Sequence, residues 1–479
     1  MPYTRSPSRA HRLTHSPKPP PTRCTPTLTP SSSSSSAQPW PNATPPGATF
    51  PAPDYALLPP PDIKPPTSTE APWPANITSY AVQVTTAEKT VFSAYHTAEI
   101  LGEYRDGEPS DVTGDTYFRI ASNTKVFTVL AVLLTEGMSL DDGVLKYIPE
   151  LADGEGGVEW GDVTLGALGG HLAGIASCSS LSLERHTGMP FEKIVQEKIL
   201  TPLNLTSTFQ KPHDSSGAIP YQRNDWRWNE GIKNAAGGLY ASSTDLSKFP
   251  RSLLNHGAGL GGVGMTRGRM NGWLKGGSST GSPWSGYGTP WEVVYSNTLA
   301  PDGHVVPVVT KGGSLAGYPS TTIILPDYAL AANVLVSGAA AANRYLRDAI
   351  ISQLIPWARS HAFSQTTTKF TGTYYQGCVG MLTPGEVELR LLPTGIGSVW
   401  RMSINFTPHE ENEETVWSRA CFTNMDTWAY AGQSVSEFVF LSEGEEEVSV
   451  AVGVELPAFR ISLVKLEDVG KKEVNDEFK

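Results

Sequence analysis

Nearly half of the prolines in this chain, 19 of 39, lie within its first 66 residues. Proline lacks a backbone N–H and locks φ, so a stretch this rich in it builds neither helix interiors nor sheet ladders. The same stretch holds the Ser31–Ser36 run and the triplets Pro19-Pro20-Pro21 and Pro59-Pro60-Pro61. Its apolar surface is too sparse to offset the entropy of ordering it, and residues 1–70 are therefore expected to be disordered. A packed core has to come from the remainder, which is long enough for more than one domain.

Charge separates the same two regions. The net charge is −11, yet the first 53 residues contain no Asp or Glu and carry Arg5, Arg9, Arg12, Lys18 and Arg23. The rest is acidic, which argues against a nucleic-acid partner held by a basic face. No apolar run reaches the roughly 18 residues that a membrane span needs. Cys24, Cys178, Cys378 and Cys421 form no C-x-x-C pair, and the ten histidines include no H-E-x-x-H. Zinc and thiol-redox sites are therefore not expected. Cys378 and Cys421 either pair or stay separate thiols. Sequons at Asn42, Asn76, Asn204 and Asn405 permit secretion without requiring it. The start of the chain shows no apolar signal-peptide core.

Order is predicted from near Ser79, where Tyr80–Val84 and Thr90–Tyr95 flank Glu88-Lys89 as strand, turn and strand. Val126, Phe127, Leu130, Leu133 and Leu134 recur at helical spacing, so 123–136 is predicted helical with Gly137 as its stop. Further helices are expected over 191–199, 243–254 and 341–355, with paired strands over 321–325 and 330–336. Beyond about Phe363 short alternating runs at 387–392, 400–406, 438–441 and 459–464 point to an all-β unit.

Two Ser-x-x-Lys tetrads occur, Ser122–Lys125 and Ser462–Lys465. At a helix start, a three-residue step sets hydroxyl and ammonium on one face, and the helix N-terminus favours negative charge growing on the serine oxygen. Ser122 meets both conditions. Ser462 falls in a predicted strand, where residues three apart face opposite ways. The alternative for Ser122 is an ordinary helix N-cap with a surface lysine. Lys311-Gly312-Gly313-Ser314, at a predicted strand edge, offers a cation for a substrate carboxylate and open N–H groups for an oxyanion. Lys275-Gly276-Gly277-Ser278 has the same spelling but is expected to be a plain loop. Gly277-Ser278-Ser279-Thr280-Gly281 spells a nucleophile elbow and Gly257–Gly262 a dinucleotide loop, each without the flanking elements it needs.

The text Phe118–Lys125, Met138–Asp142, Tyr147–Glu150, His171–Gly174, Thr187–Phe191, Ile199–Leu203, Ala236–Leu246 and Lys311–Tyr318 resembles the serine β-lactamase and penicillin-binding protein superfamily, in its class C-like branch. Pro290-Trp291-Glu292 and the tail from Phe370 resemble fungal secreted members that carry a C-terminal β domain. The resemblance implies an α/β (α+β) fold, an antiparallel sheet flanked by helices with a helical subdomain, followed by an all-β domain. The domains expected are 71–360 for the hydrolase-like unit and 365–479 for the β-rich one. It also implies secretion, no metal or organic cofactor, and an acyl-enzyme formed on a small-molecule or peptide substrate, whether a β-lactam, a peptide or amide, or an ester. Nothing in the sequence speaks to oligomeric state.

On this reading Ser122 attacks a carbonyl, Lys125 takes up its proton, and Lys311, Gly313 and Ser314 line the substrate and oxyanion side. His171 is read as a turn residue of the scaffold. One piece is missing. Relatives carry a Tyr-x-Asn or Tyr-Ser-Asn loop between the His-x-x-Gly turn and the Thr-Gly-x-x-Phe helix, whereas Gly174 to Thr187 here contains no tyrosine. The interval is short for both a loop and a full helix, so the chain reads as truncated near 176–183, by deletion or through an error in the gene model. Tyr221-Gln222-Arg223-Asn224 offers a tyrosine and an asparagine at the wrong spacing. The competing reading is thus a catalytically impaired scaffold or binding protein of the same fold.

Overall fold

The computed structural model describes residues 58–369, apart from 59, 67–68, 154–157, 171–177, 230, 262–264 and 300–304, and then a set of strands between 372 and 466. The first unit contains strands β1 (Ser79–Thr86), β2 (Thr90–His96), β3 (Phe118–Arg119), β4 (Tyr240–Ala241), β5 (Ser278–Ser279), β6 (Ser285–Tyr287), β7 (Glu292–Ser296), β8 (Val306–Leu315), β9 (Tyr318–Leu325) and β10 (Leu330–Ser337). Its helices are α1 (Thr124–Leu133), α2 (Leu165–Gly169), α3 (Cys178–Thr187), α4 (Phe191–Val195), α5 (Asn234–Gly237), α6 (Asp245–Leu254), α7 (Arg267–Trp273) and α8 (Ala340–Lys369).

Eight strands form one sheet in the order β2-β1-β10-β9-β8-β7-β6-β5, antiparallel throughout. Strands β1, β9 and β10 are buried at every position, because the sheet is covered on both faces. Val82, Val84, Val334 and Val336 pack with Leu346, Ile350 and Leu354 of α8. Ala81, Val309, Ile324 and Leu335 face the cluster built by α1, α6 and the intervening helices. Fully burying one such side chain contributes about 2 kcal/mol, and the two clusters together hold the sheet in place.

Several expectations are refined. Ile63 and Trp73 are 5% and 6% exposed and join the α8 face, so packed chain begins before residue 70. The reason is a pair of apolar anchors that the surrounding prolines hide from a compositional reading. The polar residues Gln83 and Thr85 of β1 are buried as well. Gln83 Oε1 accepts from Ser247 Oγ at 2.7 Å, and Thr85 Oγ1 accepts from Arg251 Nε at 2.7 Å, both from α6. A buried polar group is tolerated when it is hydrogen-bonded. Helix α8 runs through Pro356 to Lys369 rather than stopping at Ile355. The 191–199 helix is α-helical only to Val195 and continues as one wider turn over Gln196–Leu200. Ser278-Ser279, expected in a loop, forms the outermost hairpin with β6.

After α8 come β11 (Gly372–Gln376), β12 (Gly385–Pro393), β13 (Trp400–Pro408), β14 (Ala429–Tyr430), β15 (Gln433–Ser434), β16 (Val439–Glu443), β17 (Val450–Leu456) and β18 (Ile461–Leu466). Six of them form an antiparallel sheet in the order β13-β12-β11-β18-β17-β16. Ser462 lies within β18, as its alternating context predicts. Cys378 and Cys421 lie outside the described residues.

Candidate active site

Ser122 occupies a single 3-10 turn, Ala121–Asn123, directly ahead of α1. Ala121 has φ 48°, the left-handed region that a non-glycine residue enters at a cost of about 1–2 kcal/mol. Neighbouring groups over-determine the turn. The Ile120 N–H donates to Leu239 O at 3.2 Å, and Ile120 O accepts from Asn123 N at 3.1 Å and from Ser320 Oγ at 2.8 Å. Asn123 Nδ2 donates to the same Ser320 Oγ at 2.8 Å. The Ser122 turn is thereby clamped to β9.

Nine of the ten residues of α1 are buried, and Lys125 is the exception. A helix apolar all round belongs in a core, so a half-buried lysine in its first turn marks where that core opens. Lys125 Nζ donates to Ser122 Oγ at 2.9 Å and to Ala236 O at 3.0 Å. Thr128 Oγ1, one turn further, donates to Ala235 O at 2.6 Å. The structure therefore brings the Ser-x-x-Lys pair into contact and braces it on α5.

Strand β8 supplies the opposite wall. An added Cβ at Gly313 would stand 2.4 Å from Ile120 O and 3.1 Å from Ala121 Cβ. Only glycine allows the strand to approach the Ser122 turn this closely. The Gly312 N–H donates to Glu292 Oε2 at 2.9 Å, away from β9. In an antiparallel ladder alternate residues send their N–H to the same side, so Ser314, which is exposed, directs its N–H to that open side too. Its register partner on β9 is Pro319, which has no N–H to offer. The β8–β9 turn is fixed by Asp225, whose N–H donates to Ala316 O and whose Oδ2 accepts from Ala316 N, both at 2.9 Å.

Lys311 is placed differently from its expected role. It is 2% exposed, and Nζ donates to Glu292 Oε1 at 2.5 Å and Gly312 O at 2.8 Å. Glu292 comes from β7, and no local spacing connects it to Lys311. Arg119 is another residue that sequence reasoning left unassigned. Fully buried, it donates through Nη1 to Asp225 O and Trp228 O at 2.7 Å each and lies 4.6 Å from the Tyr240 ring centre. It ties the 225–228 segment to the strand that leads into Ser122. Its signal in the sequence is a charged residue inside the apolar run Tyr117–Ile120.

Asp214 secures the outer side of that segment. Its buried carboxylate accepts from Arg105 N at 2.9 Å, Lys211 Nζ at 3.0 Å, Trp226 Nε1 at 2.7 Å and the Arg227 guanidinium. Burial works to raise its pKa, but these donors together hold it well below the usual carboxylate range. Because the folded value is depressed, the contribution to stability is present above about pH 4, the unfolded value, and is lost progressively as pH falls below that. Asp214→Asn is expected to cost about 2 kcal/mol near neutrality, a fall in Tm of about 5 °C. Calorimetry from pH 7 to pH 3 checks this, since the gap between variant and wild type should narrow below pH 4.

Other candidates separate from this site. Ser279 lies on the outer hairpin, and Tyr221 is 62% exposed. Asn224 turns its amide to Pro220 O and Gln222 O at 3.0 Å each, bracing its own loop. His171 and the 171–177 stretch lie outside the described residues. Helix α3 does form, ten residues long from Cys178 to Thr187, so the shortened interval keeps its helix. The 171–177 stretch contains no tyrosine. Among the described residues no group of three or more His, Cys, Asp or Glu is arranged to hold a metal, and no helix is long and apolar enough to cross a membrane.

An antiparallel sheet covered on both faces, with a buried helix opening onto the edge of one central strand, is the serine β-lactamase fold. The chain belongs to the Beta-lactamase family, which residues 69–355 match. Residues 364–467 match the family described as "Beta-lactamase-like-like, C-terminal domain". Similar proteins include "Probable hydrolase M10" of Phoma sp., 24% identical over 81% of this chain and 84% of that protein. "Probable hydrolase clz13" of Cochliobolus lunatus is 24% identical over 62% of each chain. "Beta-lactamase-like protein" of Arthroderma benhamiae is 22% identical, again over 62% of each. The chain thus spans less than two thirds of the latter two. Among solved structures, a class C β-lactamase from Rhodobacter sphaeroides aligns with TM-score 0.45 and 18% identity, over 61% of this chain and 96% of that one.

Proposed function

We propose that this chain is a serine hydrolase working through an acyl-enzyme on Ser122. The observation that carries the reading is the 2.9 Å contact between Lys125 Nζ and Ser122 Oγ at the mouth of a buried helix. Lys125 takes up the hydroxyl proton while Oγ attacks a carbonyl carbon, and the bond to the alcohol or amine breaks as that group leaves with the proton. Water then cleaves the acyl–Oγ bond to release the acid. The N–H groups of Ser122 and Ser314 are the oxyanion donors, and Gly313 permits the close approach that sets their spacing. Substrates are small molecules or peptides with an ester or amide carbonyl. Relatives named as probable hydrolases agree with this reaction class.

A second reading, a scaffold or binding protein, is favoured by one observation, the missing tyrosine between Gly170 and Thr187. Incubation with an activated ester such as p-nitrophenyl acetate, followed by intact-mass measurement, separates the two. An acyl adduct on the peptide containing Ser122 is expected. A cooperatively melting protein with no adduct supports the scaffold instead. Lys125→Ala is expected to slow acylation by about 10²–10⁴-fold, the usual contribution of a positioned base. Single-turnover kinetics of the adduct checks it.

A further inference from the structure

The Lys311 side chain leaves β8 on the face to which a Cβ added at Gly313 would point, because strand residues two apart share a face. Val309, two positions earlier, packs in the cluster that contains α1, and Gly313 backs onto the Ser122 turn. Lys311 therefore stands roughly 7 Å along the strand from the residue that abuts that turn. This is where a free ammonium would meet an anionic group on a bound acyl donor. It is not free. Glu292 holds Lys311 Nζ at 2.5 Å with one carboxylate oxygen and the outward Gly312 N–H at 2.9 Å with the other. A further ammonium proton goes to Gly312 O at 2.8 Å.

The two partners differ in exposure. The Lys311 side chain is 2% exposed and that of Glu292 is 37% exposed. The ammonium is enclosed, while the carboxylate is in part reachable by solvent. An anionic group that reaches it meets a like charge, and the Gly312 N–H and two of the ammonium protons are already taken. Like charges disfavour each other, so the Glu292 carboxylate offsets the attraction that the Lys311 ammonium alone would exert on a substrate carboxylate.

We infer that Glu292 is a specificity-determining residue, which restricts the site to acyl donors carrying no carboxylate beside the scissile bond, that is, neutral esters and amides. The inference rests on the acyl-enzyme reading of Ser122. It differs from the role that Lys311 has in the sequence alone, where nothing reveals the partner from β7.

Two boronic acids, which add reversibly to a nucleophilic serine without turnover, test it: meta-carboxyphenylboronic acid and its uncharged isostere, meta-carboxamidophenylboronic acid. Dissociation constants are measured for wild type and Glu292→Gln at pH 7.5, and a fluorophosphonate probe reports whether Ser122 is reactive. Wild type should bind the carboxamide at least about tenfold more tightly than the carboxylate, and Glu292→Gln should shrink or invert that ratio by about tenfold or more, the order expected for one like-charge contact near the surface. If wild type binds the carboxylate as tightly as the carboxamide while Ser122 is labelled, the inference falls and the hydrolase reading stands. An unchanged ratio in a folded, labelled Glu292→Gln has the same effect. If Ser122 is not labelled and neither boronate binds, the hydrolase reading falls and takes the inference with it. The wild-type ratio decides alone should the variant fail to fold.

Discussion

Ser122→Ala should abolish labelling by an acylating probe and lower any hydrolytic rate by at least about 10³-fold, since removal of a nucleophile eliminates the covalent route. Ser462→Ala and Ser279→Ala should label at the wild-type rate. All three serines sit in motifs that spell a nucleophile, so the comparison isolates placement from spelling. Ser462 belongs to strand β18, and Ser279 to a two-residue strand at the sheet's outer margin. Ser122 is held in a clamped turn with an amine at 2.9 Å. Equal labelling of the three variants by intact-mass analysis would remove Ser122 from the mechanism.

Gly313→Ala should be nearly as damaging although it adds a single methyl group. The new Cβ would stand 2.4 Å from Ile120 O, a backbone atom, and 2.6 Å from Ser320 Oγ. Backbone cannot swing aside as a side chain does, so either β8 or the Ser122 turn must shift. A displacement of about 1 Å at a reacting centre costs on the order of 10²-fold in rate, and a loss of that size is expected in the acylation rate constant. Gly277→Ala is the control. It holds the equivalent place in the second Lys-Gly-Gly-Ser copy, and its nearest neighbour would be Tyr287 O at 3.9 Å, ordinary contact. Acylation by Gly277→Ala should match wild type. If Gly313→Ala also acylates normally, the close approach of β8 does not position the nucleophile.

The paired glycine variants show where local reading ends. Both copies read Lys-Gly-Gly-Ser, and the predicted strand beside Lys311 was enough to prefer that copy. The second copy nevertheless turned out to border the β5–β6 hairpin. What distinguishes Gly313 is the Ser122 turn behind it, contributed by chain almost 200 residues away in sequence. The first Ser-x-x-Lys tetrad was legible because its geometry is local: a three-residue step at a helix start brings hydroxyl and amine together whatever surrounds them. The strands of the large sheet were legible in part for the same reason, as β-branched runs between turns. Fully buried strands such as β1 were harder, since their polar positions, Gln83 and Thr85, resemble solvent-facing ones until α6 supplies partners.

The amino-acid sequence by itself determined the family, the main runs that become β1, β2, β9, β10, α1 and α6 and their order, and the three-residue spacing of Ser122 and Lys125 at a helix start. Each depends on residues within about one helical turn or on text that keeps its order along the chain. Tertiary structure alone decided which charged groups pair around the site. Glu292 reaches Lys311 because β7 and β8 are neighbours in the sheet, and Arg119 Nη1 finds acceptors because the carbonyls of 225 and 228 fold over it. Ion pairs and buried hydrogen bonds depend on distances of a few ångströms between segments far apart in sequence, and periodicity carries no record of those distances. The sequence therefore presents Lys311 as a free cation, whereas in the folded protein Glu292 holds it.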